Sequence, residues 1–113
     1  MVNFEKTVLF MNEENKKEEL QKKLEEFYKN LEQKLEKDQE WPALYMFKFI
    51  IPNDLHKLAL VEKLFDKETA SMYTNESKTG KYISITAKEM MLSPKDVIKK
   101  YKKAGEIEGI IML

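Results

Sequence analysis

The sequence predicts an α+β fold, in which a long N-terminal helix precedes a four-stranded antiparallel sheet with two shorter helices. Two observations support this prediction. Apolar residues recur with helical spacing up to about residue 40, and beyond it they alternate in strand-like segments that helical segments separate. The predicted division is residues 1–40, a tail and a charged amphipathic helix, and residues 41–113, the sheet domain.

The composition fits one small domain with a highly charged surface. Of the 113 residues, 42% are hydrophobic and 35% are charged. The 20 basic and 20 acidic residues cancel, so the chain lacks the strong positive field that favours nucleic acids or anionic membranes. Residues 1–40 nevertheless carry a net charge of −3 and residues 41–113 a net charge of +3, which slightly favours a helix docked on the body.

The residues that most often carry chemistry are scarce. There is no cysteine, which excludes disulfides, thiolate catalysis and metal sites with sulfur ligands. The single histidine, His56, falls in the first turn of a predicted helix, where we expect it on the surface. The longest apolar run near the N-terminus, residues 8–11, is too short for a signal peptide or a membrane span. We therefore expect a cytoplasmic protein with no catalytic residues, metal or cofactor.

The N-terminal part begins with loosely alternating apolar residues over 2–10, which predict a short strand or an ordered tail. A helix is predicted from a cap at Asn12 or Asn15 to about Lys37, supported by Glu–Lys pairs four residues apart. Its apolar stripe consists of Leu20, Leu24, Phe27, Leu31 and Leu35. The stripe covers about two heptads, so docking on the body is favoured over a coiled coil.

Pro42 disfavours helix at the residue before it, and the apolar period changes there from 3.6 to 2. The first strand turns Tyr45, Phe47, Phe49 and Ile51 to one side and Met46, Lys48 and Ile50 to the other. A helix follows, with Asn53 or Asp54 as its cap. Its expected buried side consists of Leu55, Leu58, Ala59, Val61, Leu64 and Phe65.

The remaining elements are two strands, a helix and a last strand. The second strand is predicted over residues 69–74, a turn over 75–80, and the third strand over 81–87 with Ile83, Ile85 and Ala87 inward. Ser93 and Pro94 then give the cap and first position of a helix, and Gly105 is expected as its left-handed C-terminal residue. The helix buries Val97, Ile98, Tyr101 and Ala104, and the last strand spans residues 107–113.

This order of elements, βαββαβ, predicts a ferredoxin-like domain, because right-handed crossovers place both helices on one face of the sheet. The other face would carry Met46, Lys48, Ile50, Tyr82, Ser84, Thr86, Ile110 and Met112. Half of these side chains are aliphatic or Met, which is too apolar for an ordinary solvent-facing surface. We expect either the N-terminal helix or a second subunit to cover it.

Three segments of residues 41–113 carry a resemblance to a known family. They are Trp41-Pro42 with residues 46–50, the hairpin ESKTGKYISIT at residues 76–86, and Ser93-Pro94 followed by Val97. Together they resemble the YbeD-like family, small bacterial proteins of uncharacterised function that are sometimes labelled lipoic-acid-binding or lipoate-regulatory. The resemblance implies a ferredoxin-like fold, brings no activity or catalytic residue, and leaves residues 1–40 as an addition to the family core.

Two motifs invite a functional interpretation and lack parts that it requires. Residues 79–81, TGK, lack the earlier glycine and the following Ser or Thr of a phosphate-binding loop, which favours a hairpin turn. Tyr82 is followed on its face of the third strand by Ser84 and Thr86, so the aromatic platform that stacks RNA bases is missing. We therefore expect no nucleic-acid partner.

The sequence predicts a non-enzymatic interaction or regulatory module that works through the open sheet face. The candidate interaction surface consists of Lys48, Ile50, Lys78, Lys81, Tyr82 and Ser84. A small-molecule-sensing domain, monomeric or dimeric, is the alternative, with its ligand near the turn at residues 51–54 by analogy of fold. The partner is therefore an unidentified protein or small ligand, and no membrane is expected.

Overall fold

A computed structural model describes residues 13–113, so the strand or tail predicted over 2–10 lies outside the described residues. The described residues form three helices and four strands. In chain order these are α1 (Glu13–Asp38), β1 (Ala43–Pro52), α2 (Leu55–Glu62), β2 (Ser71–Glu76), β3 (Tyr82–Met91), α3 (Pro94–Ala104) and β4 (Ile111–Met112). The α+β class and the long first helix are as predicted.

The four strands form one antiparallel sheet in the order β2-β3-β1-β4, which confirms the ferredoxin-like arrangement. The two central strands, β1 and β3, pair along their full length of ten residues, from Ala43 opposite Met91 to Pro52 opposite Tyr82. Because directly opposite residues share a face, this register decides which side chains enter the core and which face away from it.

The core lies between one face of the sheet and the helices. Phe47, Phe49 and Ile51 on β1 are fully buried, and the inward residues predicted for β3 are buried opposite them. The ring centroid of Phe47 lies 5.3 Å from that of Phe65 and 5.2 Å from that of Tyr101, with the rings edge to face. All four residues predicted for the buried side of α3 are buried.

Helix α1 docks on the helical side of the sheet through its C-terminal half. Leu35 is buried in the core, and the Lys102 ammonium of α3 lies 5.7 Å from the ring centroid of Tyr28. The Trp41 indole donates a hydrogen bond of 3.0 Å to the Leu35 carbonyl, near the end of the helix. The prediction that α1 docks on the body is therefore confirmed. Of the two candidates for covering the open sheet face, the helix and a second subunit, the helix does not cover it.

Several predicted boundaries and caps need correction. Asn15 lies inside α1 and is not its cap, and Asn12 is outside the described residues. Strand β2 lies two residues later than predicted, and β3 continues four residues beyond Ala87 to Met91. The extension follows from β1, whose first half offers backbone partners to the whole C-terminal half of β3.

Helix α2 is shorter than its apolar pattern suggested. Asp54 is the cap, and its carboxylate accepts a hydrogen bond of 2.8 Å from the His56 backbone. Leu55 and Ala59, predicted to be buried, are exposed. Because Ala59 is two residues from the buried Val61, it lies about 200° away around the helix axis.

The C-terminal segment differs from the prediction by one residue in its register. Strand β4 contains two residues, Ile111 and Met112, instead of the seven predicted. Met112 lies opposite Phe49 and packs against the core, as Ile110 does, whereas Ile111 lies opposite Ile50 on the other face. The predicted faces were therefore exchanged, because a shift of one residue turns each side chain to the opposite side.

The left-handed glycine near the C-terminus is also not the predicted one. Gly105 has a φ angle of −62° and continues the right-handed geometry of α3. Gly109, four residues later, has a φ angle of +82° and makes the turn that leads into β4. The chain needs this second position because Ile107 first enters the core before the chain turns back to the sheet.

Candidate functional site: the outer sheet face

The candidate site is the face of the sheet opposite the core, which we call the outer sheet face. Its side chains are Leu44, Met46, Lys48, Ile50, Pro52, Ser71, Tyr73, Asn75, Tyr82, Ser84, Thr86, Lys88, Met90 and Ile111. The described helices all pack on the other side, where their buried residues join one core cluster. This face is therefore left open by residues 13–113.

Four of the six residues predicted for the interaction surface lie on this face. Ser84 is directly opposite Ile50. Lys48, two residues before Ile50 in β1, is opposite Thr86. Tyr82 begins β3, opposite Pro52. The register of the two central strands thus brings these four side chains together, as the alternation of residues had predicted.

The other two predicted residues, Lys78 and Lys81, are exposed in the turn between β2 and β3. The Ser77 backbone donates to the Tyr82 carbonyl at 2.9 Å, and the Asn53 side chain donates to the Gly80 carbonyl at 2.8 Å. These hydrogen bonds hold a turn between two strands, which confirms the hairpin interpretation of residues 79–81. The two lysines lie at one end of the outer sheet face.

Sequence reasoning missed several residues of the face. Lys88 and Met90 were not assigned to it because β3 was ended at Ala87, and Tyr73 was not because β2 was given no faces. Leu44 precedes the residues that were assigned to faces of β1, and Ile111 was missed because the last strand was predicted one residue out of register. The alternation of β3 in fact continues, with Lys88 and Met90 outward. Glu89 interrupts this alternation, because a charged side chain at an inward position normally indicates that a buried strand has ended.

Apolar exposure is concentrated at one end of the face, which we call the apolar end and define as Leu44, Met46, Met90 and Leu92. Leu44 and Met90 are directly opposite each other and are 59% and 58% exposed. Met46 is 46% exposed, and Leu92, immediately after β3, is 73% exposed. Contiguous exposed apolar side chains of this kind mark interaction surfaces more often than single ones do.

The outer sheet face also differs from the rest of the chain in its charge. It carries Lys48 and Lys88 and no acidic side chain, although the chain has as many acidic as basic residues. At the apolar end it borders a cleft of about 460 Å³ on the helical side of the sheet, which we call the lysine cleft. The cleft is lined by Lys63, Leu64, Glu89, Met90, Met91, Leu92, Asp96, Lys99, Lys100 and Lys103.

The two carboxylates of the lysine cleft are already engaged within the protein. Glu89, which is 8% exposed, forms a salt bridge with Lys100 and accepts a hydrogen bond of 3.0 Å from the Asp66 backbone. Asp96 accepts a hydrogen bond of 3.2 Å from the Ser93 hydroxyl at the start of α3. Once the Glu89–Lys100 pair is set aside, Lys63, Lys99 and Lys103 outnumber Asp96, and the cleft is positively charged.

The titratable groups of the described residues form no catalytic constellation. Burial raises the pKa of the Tyr101 phenol well above its usual range, and its hydrogen bond of 2.8 Å with Tyr45 raises it further. Tyr101 is thus a neutral phenol in the core. His56 is exposed at the start of α2, and no group of three His, Cys, Asp or Glu in residues 13–113 could hold a metal ion.

Helix α1 is long but far too polar to cross a membrane, and neither α2 nor α3 is long enough to do so. Comparisons with known proteins give no relative: no protein-family model, no curated protein and no solved structure matches the chain. The resemblance to YbeD-like proteins therefore stays a prediction.

Proposed function

We propose that the chain is a non-enzymatic interaction module that binds a partner protein through its outer sheet face. One observation carries the proposal: Leu44, Met46, Met90 and Leu92 are exposed at one end of a sheet face, and the helices of residues 13–113 pack on the other face. Removing such apolar surface from water is favourable, which supports a partner that covers it.

The size of the apolar end suits binding that also needs polar contacts. Complete burial of a Leu or Met side chain contributes roughly 1.5–3 kcal/mol, so covering a half-exposed one contributes about 1 kcal/mol. Four such side chains give about 4 kcal/mol, of which association consumes much. The lysines around the apolar end supply the further contacts, and together they support a reversible complex.

A small-molecule-sensing domain is a second candidate, and the lysine cleft is the observation that favours it. This cleft of about 460 Å³ is open to solvent and presents Lys63, Lys99 and Lys103, which suits a small anion. The predicted ligand position at residues 51–54 is less suitable, because the Asn53 amide and the Asp54 carboxylate both hydrogen-bond within the protein. If the chain senses a small molecule, we therefore expect the ligand to be a small anion that binds in the lysine cleft.

Capture from cells that naturally make the protein tests both candidates. The whole chain is immobilised, incubated with lysate, and the bound species are read by native mass spectrometry. The same is done with the double substitution Leu44→Lys/Met90→Lys. The control is Leu55→Lys, because Leu55 is 81% exposed at the start of α2, away from the outer sheet face.

We expect the wild-type chain and the Leu55→Lys control to retain the same stoichiometric protein, and the double variant to lose it. A protein retained equally by all three chains would place its binding site elsewhere and contradict the proposal. A bound species of small mass, with no protein partner, would instead support sensing of a small anion.

A further inference from the structure

We infer that the partner segment is acidic and amphipathic: apolar side chains cover the apolar end, and neighbouring carboxylates reach the lysine cleft. This inference rests on the proposed function and specifies the chemistry of the partner. Two surfaces that adjoin each other carry it, since Met90 and Leu92 belong to the apolar end and also line the lysine cleft.

The apolar part of the argument comes from the register of the central strands. Leu44 on β1 lies opposite Met90 on β3, so these side chains stand next to each other. Leu92 extends the same surface towards the cleft. Three exposed apolar residues from two strands and the following loop give a platform for two or three apolar side chains of one segment.

The charged part comes from three lysines of the cleft, which outnumber Asp96, the one carboxylate there besides Glu89. Lys99 and Lys103 are four residues apart and therefore lie on the same side of α3, and Lys63 follows α2 across the cleft. None of the three forms an ion pair with another residue of the described range 13–113. The Glu89 carboxylate is committed to Lys100.

Lys100 does not count towards this positive surface. Its ammonium donates to Glu89 and, at 2.7 Å, to the Leu64 carbonyl, and it lies 4.7 Å from the ring centroid of Phe65. The available cations are thus Lys63, Lys99 and Lys103 at the rim of the cleft. Carboxylates complement them in charge, and their position beside the apolar end requires a segment that is both acidic and apolar.

The charges also separate this partner from other occupants of the face. A second copy packed face to face would set one basic surface, with Lys48 and Lys88, against another, and this face offers no acidic side chain to compensate. Single-stranded nucleic acid needs aromatics that stack side by side. The two exposed tyrosines of the face, Tyr73 on β2 and Tyr82 at the start of β3, lie away from the apolar end, and the outward residues of β1 include no aromatic. An acidic amphipathic segment satisfies both the apolar and the basic part of the surface.

Selection from a random peptide library displayed on phage tests the inference. The whole chain is the target, and a selected peptide is then measured by fluorescence anisotropy against variants. We expect selected peptides to combine Asp or Glu with large apolar residues. The substitution Lys99→Glu/Lys103→Glu should weaken binding by about tenfold or more. The matched control, Lys22→Glu/Lys29→Glu, reverses two exposed lysines on the solvent side of α1 and should change little.

A charge exchange sharpens the test. When the acidic residues of the selected peptide are replaced by Lys, the exchanged peptide should bind the Lys99→Glu/Lys103→Glu variant better than it binds the wild-type chain. Recovery of binding in this combination requires direct contact between opposite charges, and a variant that had lost its fold would recover nothing.

Several outcomes would overturn the inference. Peptides without excess acid, whose binding is lost in Leu44→Lys/Met90→Lys but insensitive to the Lys99 and Lys103 reversals, would contradict it and leave the proposed function standing. If every selected peptide bound the Leu44→Lys/Met90→Lys variant as well as the wild-type chain, that result would count against both the proposed function and the inference. Light scattering could show a dimer, or the chain could bind single-stranded RNA or phosphatidylserine vesicles. If the Leu44→Lys/Met90→Lys variant lost that dimer or that binding, the inference would be overturned.

Discussion

Glu89 shows how a single residue can contradict a sequence pattern and yet fit the structure. It stands on the inner side of β3 between Ala87 and Met91, where apolar residues are the rule. The carboxylate is stabilised there by the Lys100 ammonium and the Asp66 backbone, and Lys100 also reaches the Leu64 carbonyl. One polar cluster therefore joins β3, α3 and the segment after α2.

The substitution Lys100→Met should destabilise the fold by about 3 kcal/mol, because it leaves the buried Glu89 carboxylate without its cation and with only the Asp66 backbone as a partner. Lys99→Met is the control, since Lys99 is exposed and its loss should change stability by less than about 0.5 kcal/mol. Urea unfolding of both variants measures the difference. Adding Glu89→Gln to Lys100→Met should recover part of the loss. Equal stability of the two single variants would show that this pair does not support the core.

At the residue level, the sequence predicted which side chains enter the core wherever burial of apolar groups alone determines their orientation. The alternation of β1 predicted Phe47, Phe49 and Ile51 correctly, because a fully buried strand face tolerates little else. It failed at Glu89 and Lys100, which are separated by eleven residues and by a change of element. Their burial depends on each other, and a linear pattern does not contain that information.

At the level of elements, the capped helices and the long strands were predictable, and the short C-terminal elements were not. Ser93 and Pro94 begin α3 as expected, because cap chemistry is local. The end of the chain depends on distant contacts: Gly109 approaches Pro52, and β4 pairs with only two residues of β1. Local propensity therefore predicted a strand of seven residues, and the structure contains one of two.

Gly109 offers a test of this element. A Cβ atom at Gly109 would lie 3.0 Å from Cγ of Pro52, and its φ angle is +82°. Gly80, with a φ angle of +74° and nothing within 4 Å of the same position, is a matched control. We expect Gly80→Ala to cost about 1 kcal/mol from backbone strain, and Gly109→Ala about 2 kcal/mol or more.

Urea unfolding of these two glycine variants gives the free energies to compare. The additional loss at Gly109 should reflect the close approach of β1 to the turn that leads into β4, because the backbone strain is similar at both positions. Equal losses at the two positions would contradict the contact between Gly109 and Pro52 and, with it, the described placement of β4.

At the level of the whole molecule, the helices and the sheet together determine which surface remains available. Helix α1 buries Leu35, near its C-terminal end, in the core, on the same side of the sheet as α2 and α3. The outer sheet face was predictable as a surface, because the order of elements places both later helices on one side. Its apolar end was not, because that required the full length of β3 and its register against β1.

The central claim is that the partner protein covers the outer sheet face, and hydroxyl-radical footprinting of the complex tests it most directly. Met90 is 58% exposed on this face, whereas its neighbour Met91 is 5% exposed and points into the core. In the free chain we expect Met46 and Met90 to oxidise quickly and Met91 slowly. With the captured partner bound, Met46 and Met90 should become several times less reactive while Met91 stays unchanged. Unchanged oxidation of Met46 and Met90 in the complex would contradict the claim.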